Sequence, residues 1–540
     1  MKKMFKMLAV TALLLAAMMV FTACDRGGNE PPATPAPTVA PPADQTPAPN
    51  TPEPTPEPPA REVVTLRYSV VNPGRNPEQH ALDAVAAALY EHGFIIEFEG
   101  YEQPAYQIMI ATLDTDLIMA ARWEGFFDLA RSGAFAEIPR EMIQRYMPVW
   151  YSENAEFLTS STIDGRIYAI PNNAIGFNIP HLILRTDWFP PGMTSVDTMD
   201  DLYAYLEHAL YLNPHIIPFS MTAGQTGFQV AAMAFASSHI MAPGTPRSPS
   251  AVVLDKRDYP NFVLRRTLEN EGYREFMRTM RTWNQAGFFH TDLLVNQFPQ
   301  QEQFWHGESA VMNSANPDWM NWINEEMTSR HDGQVGIDFF DFGAADNVLA
   351  DRGSAMGRGI AIPFRSADSV PAVLRLLELL YTSEDLYMLW RYGVEGIDYN
   401  VLEGGVIERL DPDGRDMPIG WSAIYENANF ARPGANRWPG YTEFRESVVA
   451  RGFVNPFVEW VLDTSDATYG AIRTNLNNIT LEGLPMIGLG MHPDPDAAID
   501  ELLARQIEAG LEAYEVEVLR QLQEFIVDRG LTHVTITLGE

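Results

Sequence analysis

The sequence has a single cysteine in 540 residues. A lone thiol makes no intrachain disulfide and supplies no cysteine-based zinc site. Positive charge is also scarce. Against 71 Asp and Glu stand 37 Lys and Arg, for a formal net charge of −34. That balance excludes nucleic acid as a partner, because phosphate binding needs clustered cations. The chain lacks a GxSxG nucleophile elbow, a P-loop, an HExxH and a CxxC. Its eleven histidines stand singly, as structural or solvated histidines do. The stretch DPDGRD from Asp411 to Asp416 lacks the spacing and distal Glu of an EF-hand loop. GLG at 488–490 is no dinucleotide fingerprint. The expectation is a non-enzymatic protein with no metal and no cofactor. Seventy-one carboxylates still leave open a pair at glycosidase spacing, so a secreted carbohydrate-active enzyme is the alternative. What the chain does have is core material: 46% hydrophobic and 11% aromatic residues. Spread over this length, they call for at least two lobes.

The position of the cysteine says more than its rarity. Lys2, Lys3 and Lys6 form a positive leader, and Met7 to Val20 is apolar or small apart from Thr11. Phe21-Thr22-Ala23-Cys24 follows, with the order of a lipobox save that Phe21 stands where Leu is usual. Residues 1–23 are therefore expected to be a lipoprotein signal peptide and Cys24 a lipidated N-terminus. An ordinary signal peptide or short anchor is the other reading, but about 17 apolar residues are marginal for a bilayer core of ~30 Å. From Pro31 to Ala60 thirteen of thirty residues are proline, which favours polyproline II over any core. Residues 24–61 read as a stiff tether reaching roughly 90 Å. The expected location is the extracytoplasmic face of the cell membrane, held there by lipid.

The folded body opens as an α/β unit. Val64, Leu66, Tyr68 and Val70 alternate with Thr65, Arg67 and Ser69, the period of a strand. After the turn Asn72-Pro73-Gly74, Asn76 and Pro77 predict a helix start, with Ala81, Val85 and Leu89 on one face and Gly93 at its end. Phe94 to Phe98 predicts a second strand. Strand, helix, strand at this spacing implies a parallel βαβ crossover, with ligands at the carboxyl ends of the strands, where Asn72, Tyr101 and Gln103 fall. Helices are predicted over 197–212, 271–286 and 372–381. Another follows a Ser383 cap, and a long pair over 496–528 breaks near Gly510.

Four segments in order then resemble one family. GAFAEIP, DGRIYAIP and ILRTDWF come first, followed by TWNQAGFF with FWHGESAVMNSANPDW. GIAIPFRSADSVPAVLRLLELLYTSEDLYMLWRYGVEGIDY and the closing DELLARQIEAGLEAYEVEVLRQLQEFI complete the set. Together they resemble the extracellular solute-binding lipoproteins of carbohydrate ABC importers, in the large Gram-positive branch. The resemblance implies a helix-rich, periplasmic-binding-protein-like type II fold of two lobes joined by hinge crossings. It places the crossings near Ile170–Ala174, Ala310–Ser314 and Gly357–Ala361. Lobe 1 would comprise 62–170 plus 315–357. Lobe 2 would comprise 174–310 plus 361–540, with the C-terminal helices. The implied function is capture of a carbohydrate, an oligosaccharide by preference, by a monomer that docks on ABC permease subunits. A non-transport sensor lipoprotein with another ligand keeps the same fold.

Pyranose rings have apolar faces and polar rims, so aromatic rings and amides are the side chains to look for. Trp123 follows a predicted strand on the ligand-facing side, and Asn172 and Asn173 sit at the first crossing. Asn313 and Trp319 flank the second, and Tyr399 lies in the loop GVEGIDYN. Arg437 and Trp438 stand between turn-formers in RPGANRWPG, as binding-loop residues often do. With Asn72 and Tyr101 these are the candidate ligand contacts; Phe228, in an apolar helical run, reads as core.

Overall fold

Val64–Val71 (β1) and Phe94–Tyr101 (β2) pair in parallel through eight residues, from Val64 against Phe94 to Val71 against Tyr101. The alternating sequence has done what its period requires: Leu66, Tyr68 and Val70 are buried. The crossover helix Gln79–Tyr90 lays Ala81, Val85 and Leu89 on the sheet. Gly93 then turns the chain at φ 82°. The computed structural model describes residues 63–539 except 72–77, 102–105, 107–109, 111–113, 174–175, 221–238, 243–249, 290–299, 315–318, 344–348, 353, 411–424, 436 and 465. The expected Asn76 cap and Pro77 lie outside the described residues, as do Cys24, the tether, Phe228 and Asp411–Asp416.

Nine strands build two sheets. Leu117–Ala120 (β3), Ala169–Pro171 (β4) and Gly359–Ala361 (β9) join the first, in the order β2-β1-β3-β9-β4. The second contains His181–Arg185 (β5), Ile217–Phe219 (β6), Ser309–Ser314 (β7) and Ile337–Asp341 (β8), in the order β8-β5-β7-β6. A third sheet of His239–Ala242, Val252–Asp255, Asn261–Arg266 and Thr535–Leu538 packs against the C-terminal helices Pro495–Glu508 and Leu511–Asp528.

Each lobe has its own core. Around the first sheet, Trp150, Trp390 and Tyr68 are buried with the helices Val370–Thr382 and Glu384–Tyr392. Around the second, Leu182, Leu184, Tyr205, Phe219 and Trp283 are buried between Met199–Leu212 and Glu271–Gln285. Both of those helices start on side-chain caps. Thr198 and Asp201 form a reciprocal capping box, and Asn270 accepts from the Tyr273 amide. The predicted Ser383 cap and Gly510 break are in place, the glycine at φ 103°.

Two of the expected boundaries change. Residues 315–357, assigned to lobe 1, contribute β8 to the second sheet, where Ile337–Asp341 pairs antiparallel with His181–Arg185. The crossing expected at Ala310–Ser314 is β7, an inner strand of that sheet between β5 and β6. Conversely, 361–392, assigned to lobe 2, stays with the first: β9 pairs with β3 and β4, and the next two helices fill the first core. A buried apolar strand looks the same in sequence whichever sheet receives it, which is why the order of segments misplaced these two.

Candidate functional site

Three stretches connect the first sheet to the second: 172–176 after β4, 353–358 before β9, and 426–437. The last leaves the first core at Tyr425 and enters the second lobe at Trp438. The stretches are laced together. The Asn172 amide donates to the Arg358 carbonyl at 3.1 Å. Asn173 Oδ1 accepts from the Ala428 amide at 2.8 Å. The Tyr425 hydroxyl donates to the Pro171 carbonyl at 3.5 Å. Arg358 and Glu426 face each other at 3.4 Å, both half-buried. Close approach of β9 to β4 depends on Gly359. A Cβ there would lie 2.7 Å from the Ile170 carbonyl oxygen and 3.0 Å from Pro171 Cα, closer than side-chain carbons come to backbone.

Above this floor stand polar and aromatic groups. Asn172 is 3% exposed, and its Oδ1 has no hydrogen-bond partner among the described residues. A buried acceptor left unmatched is costly, so it is a position where a bound hydroxyl gains a partner already desolvated. Trp123 is half-buried and donates its indole N–H to the Gly357 carbonyl at 3.0 Å, which fixes its ring beside the second stretch. On the second lobe, the carboxyl ends of β6 and β7 are joined by amides. Gln300 Nε2 donates to the Ser220 carbonyl at 3.2 Å, and Gln300 Oε1 accepts from the Asn313 amide at 2.8 Å. His181 enters β5 at the same edge. Its Nδ1 lies 2.8 Å from the Ile179 carbonyl while Nε2 has no partner among the described residues, and burial pushes its pKa down, favouring the neutral ring.

The candidate contacts therefore divide. Trp123, Asn172 and Asn173 meet around the crossings, and Asn313 lies at the carboxyl edge of the second sheet, half-buried. Tyr101 ends β2 and Trp319 begins the helix Trp319–Arg330; their side chains, like Asn72 and Gln103, lie outside the described residues. Tyr399 and Trp438 are core side chains. Tyr399 packs with Tyr387, Tyr392 and Ile407. Trp438 is 7% exposed, donates its only N–H to the Ile337 carbonyl at 2.8 Å and meets Phe339 edge-on at 5.4 Å. Arg437 is exposed, with its guanidinium 5.0 Å from the Tyr441 ring. Missed from sequence were Arg358, Glu426, Tyr425 and Gln300, which no local motif marks.

A groove of about 540 Å³ lies elsewhere, lined by Asn475, Asn478, Ile479, Leu481, Glu482 and Ala509 on the C-terminal helices. No crossing residue borders it. Among the described residues no group of three or more His, Cys, Asp or Glu is placed to hold a metal ion. Among them, too, no helix is long and apolar enough to cross a membrane.

Two sheeted lobes joined by three laced stretches have close counterparts among solved structures. The N-glycan transport solute-binding protein NgtS of Streptococcus pneumoniae, solved with Man1GlcNAc, is similar over 86% of this chain and 99% of its own, with a TM-score of 0.64 at 16% identity. The chain shares the fold of this solute-binding protein. FusA, an ABC-transporter substrate-binding protein of S. pneumoniae solved with kestose, is similar over 86% of this chain and all of its own (TM-score 0.59, 15% identity). An extracellular solute-binding protein of Bifidobacterium longum subsp. infantis covers 86% and 98% (TM-score 0.60, 15% identity). No family model and no curated protein matches the sequence.

Proposed function

We propose that this protein captures an oligosaccharide between its two lobes and delivers it to an ABC permease, held at the extracytoplasmic membrane face by lipid on Cys24. The observation that carries the proposal is the buried, unpartnered Asn172 Oδ1 on a floor where all three crossings meet. It stands in a fold shared with proteins solved holding Man1GlcNAc and kestose. In this reading Trp123 presents a ring face to a sugar. Asn172 accepts from a hydroxyl, and Asn173, Arg358 and Glu426 hold the floor flat as the lobes close. Closure removes water from these bonds, and the ligand shifts the open–closed population by its differential affinity for the closed form. Asn72, Tyr101, Asn313, Trp319 and Arg437 complete the proposed contacts at the cleft margins. The lobes would act as a monomer, with lobe 1 carrying 63–171 and 359–425 and lobe 2 most of the remainder.

A thermal-shift screen against mono- and oligosaccharides tests the binding half. A ligand at 100 times its Kd should add ~2.7 kcal/mol of stability, and Asn172→Ala should abolish the shift while leaving the unliganded transition in place. Release of reducing sugar from any ligand would instead make this an enzyme. Membrane fractionation tests the anchor: Cys24→Ala should move the protein from the membrane pellet to the medium.

A further inference from the structure

We infer that the ligand is an electrically neutral glycan, and that Glu426 makes it so by neutralising Arg358 on the cleft floor. The inference rests on the proposed sugar-binding role and specifies its substrate class. A uronate carboxylate loses its hydration on entering a closed cleft and needs a guanidinium or ammonium whose charge is not already matched. Among the described residues, the arginine of the crossing floor and two others beside the third stretch are matched by carboxylates. Arg358 faces Glu426 at 3.4 Å, and Arg409 faces Glu325 at 3.6 Å, both largely buried. Arg432 pairs with Glu384. The half-buried Glu459 pairs with Arg529 at 3.5 Å and also feels the charge of Arg122, next to Trp123. Arg437, at the far end of the third stretch, is turned onto the Tyr441 ring.

A ligand carboxylate brought to Arg358 would share that guanidinium with Glu426 and be repelled by it. The chain's net charge of −34 adds repulsion of the same sign at longer range, but beyond ~8 Å it is screened at physiological salt. The local pair therefore decides. A neutral glycan meets no such opposition. Its hydroxyls can donate to Glu426 and accept from Arg358 without breaking the pair, and Asn172 Oδ1 offers one more acceptor.

Calorimetric titration of the protein with neutral oligosaccharides and with oligouronates of matched length, at low and at physiological salt, tests this. Like-charge opposition is worth several kcal/mol, so the neutral series should bind at least ~100-fold more tightly. Glu426→Gln should raise oligouronate affinity by at least ~10-fold at physiological salt. Equal or tighter binding of oligouronates by the unmodified protein would overturn the inference and leave the sugar-binding role standing. A preference for neutral glycans that disappears at physiological salt would overturn the assignment to Glu426. Binding of neither series would remove the sugar-binding role and this inference with it. Should Glu426→Gln not fold, the two affinities of the unmodified protein decide the matter.

Discussion

Asn427 stands between Glu426 and Ala428, two contacts of the crossing floor, and is completely buried. Its side chain ties the third stretch to the first lobe. Nδ2 donates to the Tyr381 carbonyl at 2.9 Å and the Leu380 carbonyl at 3.4 Å, while Oδ1 accepts from the Asn429 amide at 3.1 Å. Leu380 and Tyr381 belong to the last turn of Val370–Thr382, where carbonyls have no partner within the helix. Asn427 is thus a C-terminal cap supplied from 46 residues downstream. Removing it with Asn427→Ala forfeits about three hydrogen bonds at ~1 kcal/mol each. It also strands buried carbonyls at ~1–3 kcal/mol, so a total of ~4–6 kcal/mol is expected. Asn427→Asp keeps the shape and withdraws the donor. It sets a negative charge against the negative end of a helix dipole, so it should cost at least as much as alanine. Urea unfolding followed by tryptophan fluorescence reads both, as a lower midpoint at unchanged slope. If the aspartate variant is within ~0.5 kcal/mol of the parent, the amide donor is not what holds the stretch, and the capping argument fails.

Trp390, 2% exposed and packed on Tyr68 at 6.2 Å and Phe98 at 5.7 Å, should cost ~3–5 kcal/mol when replaced by alanine, read by the same urea titration. Burial pushes the Asp338 carboxyl up from 3.8 to about 6. The folded state then holds a proton that the unfolded state has released, and stability should fall as pH rises from about 4 to about 6. Asp338→Asn should flatten that fall and raise the melting temperature at pH 7. Glu325, with its pKa raised by burial, faces Arg409 at 3.6 Å across the two lobes. Glu325→Gln and Arg409→Met singly should each destabilise, and the double variant should lose less than their sum by ~1 kcal/mol or more in a double-mutant cycle.

The opening βαβ unit was legible because its signals are local. The period of two in 64–70 and the apolar face of the following helix each involve neighbours within one turn or one strand. The Ser383 cap and the Gly510 break depend on residues a few positions away, and both are where the sequence puts them. The two-lobed architecture was legible at a coarser level, from the order of segments behind a lipobox. What the sequence could not convey is which sheet a buried strand joins. Ser309–Ser314 is buried at every position but one, around the apolar centre Ala310–Met312, and that short centre fits either lobe's core equally well. Its membership is decided by partners at 181–184 and 217–219.

The same distinction separates the candidate residues that the sequence marks from those it does not. Asn172 and Asn173 follow a strand and a proline, so their place at a crossing shows in the local sequence. Arg358 and Glu426 are 68 residues apart and meet only because two crossing stretches run side by side. Trp438 shows the opposite error. A tryptophan among turn-formers looks available to a ligand, yet Gly440 has the smaller role of letting its ring fold inward: a Cβ at 440 would sit 2.5 Å from the indole. The glycine that suggested an exposed loop is what permits a buried one. Turn residues report where the backbone bends, and whether the ring beside them faces a cleft or plugs a core depends on an acceptor elsewhere, here the Ile337 carbonyl. Trp123 is held likewise, its N–H on the Gly357 carbonyl, but that carbonyl belongs to a crossing. Both tryptophans are satisfied donors, and only the place of the acceptor separates the proposed binding wall from a core.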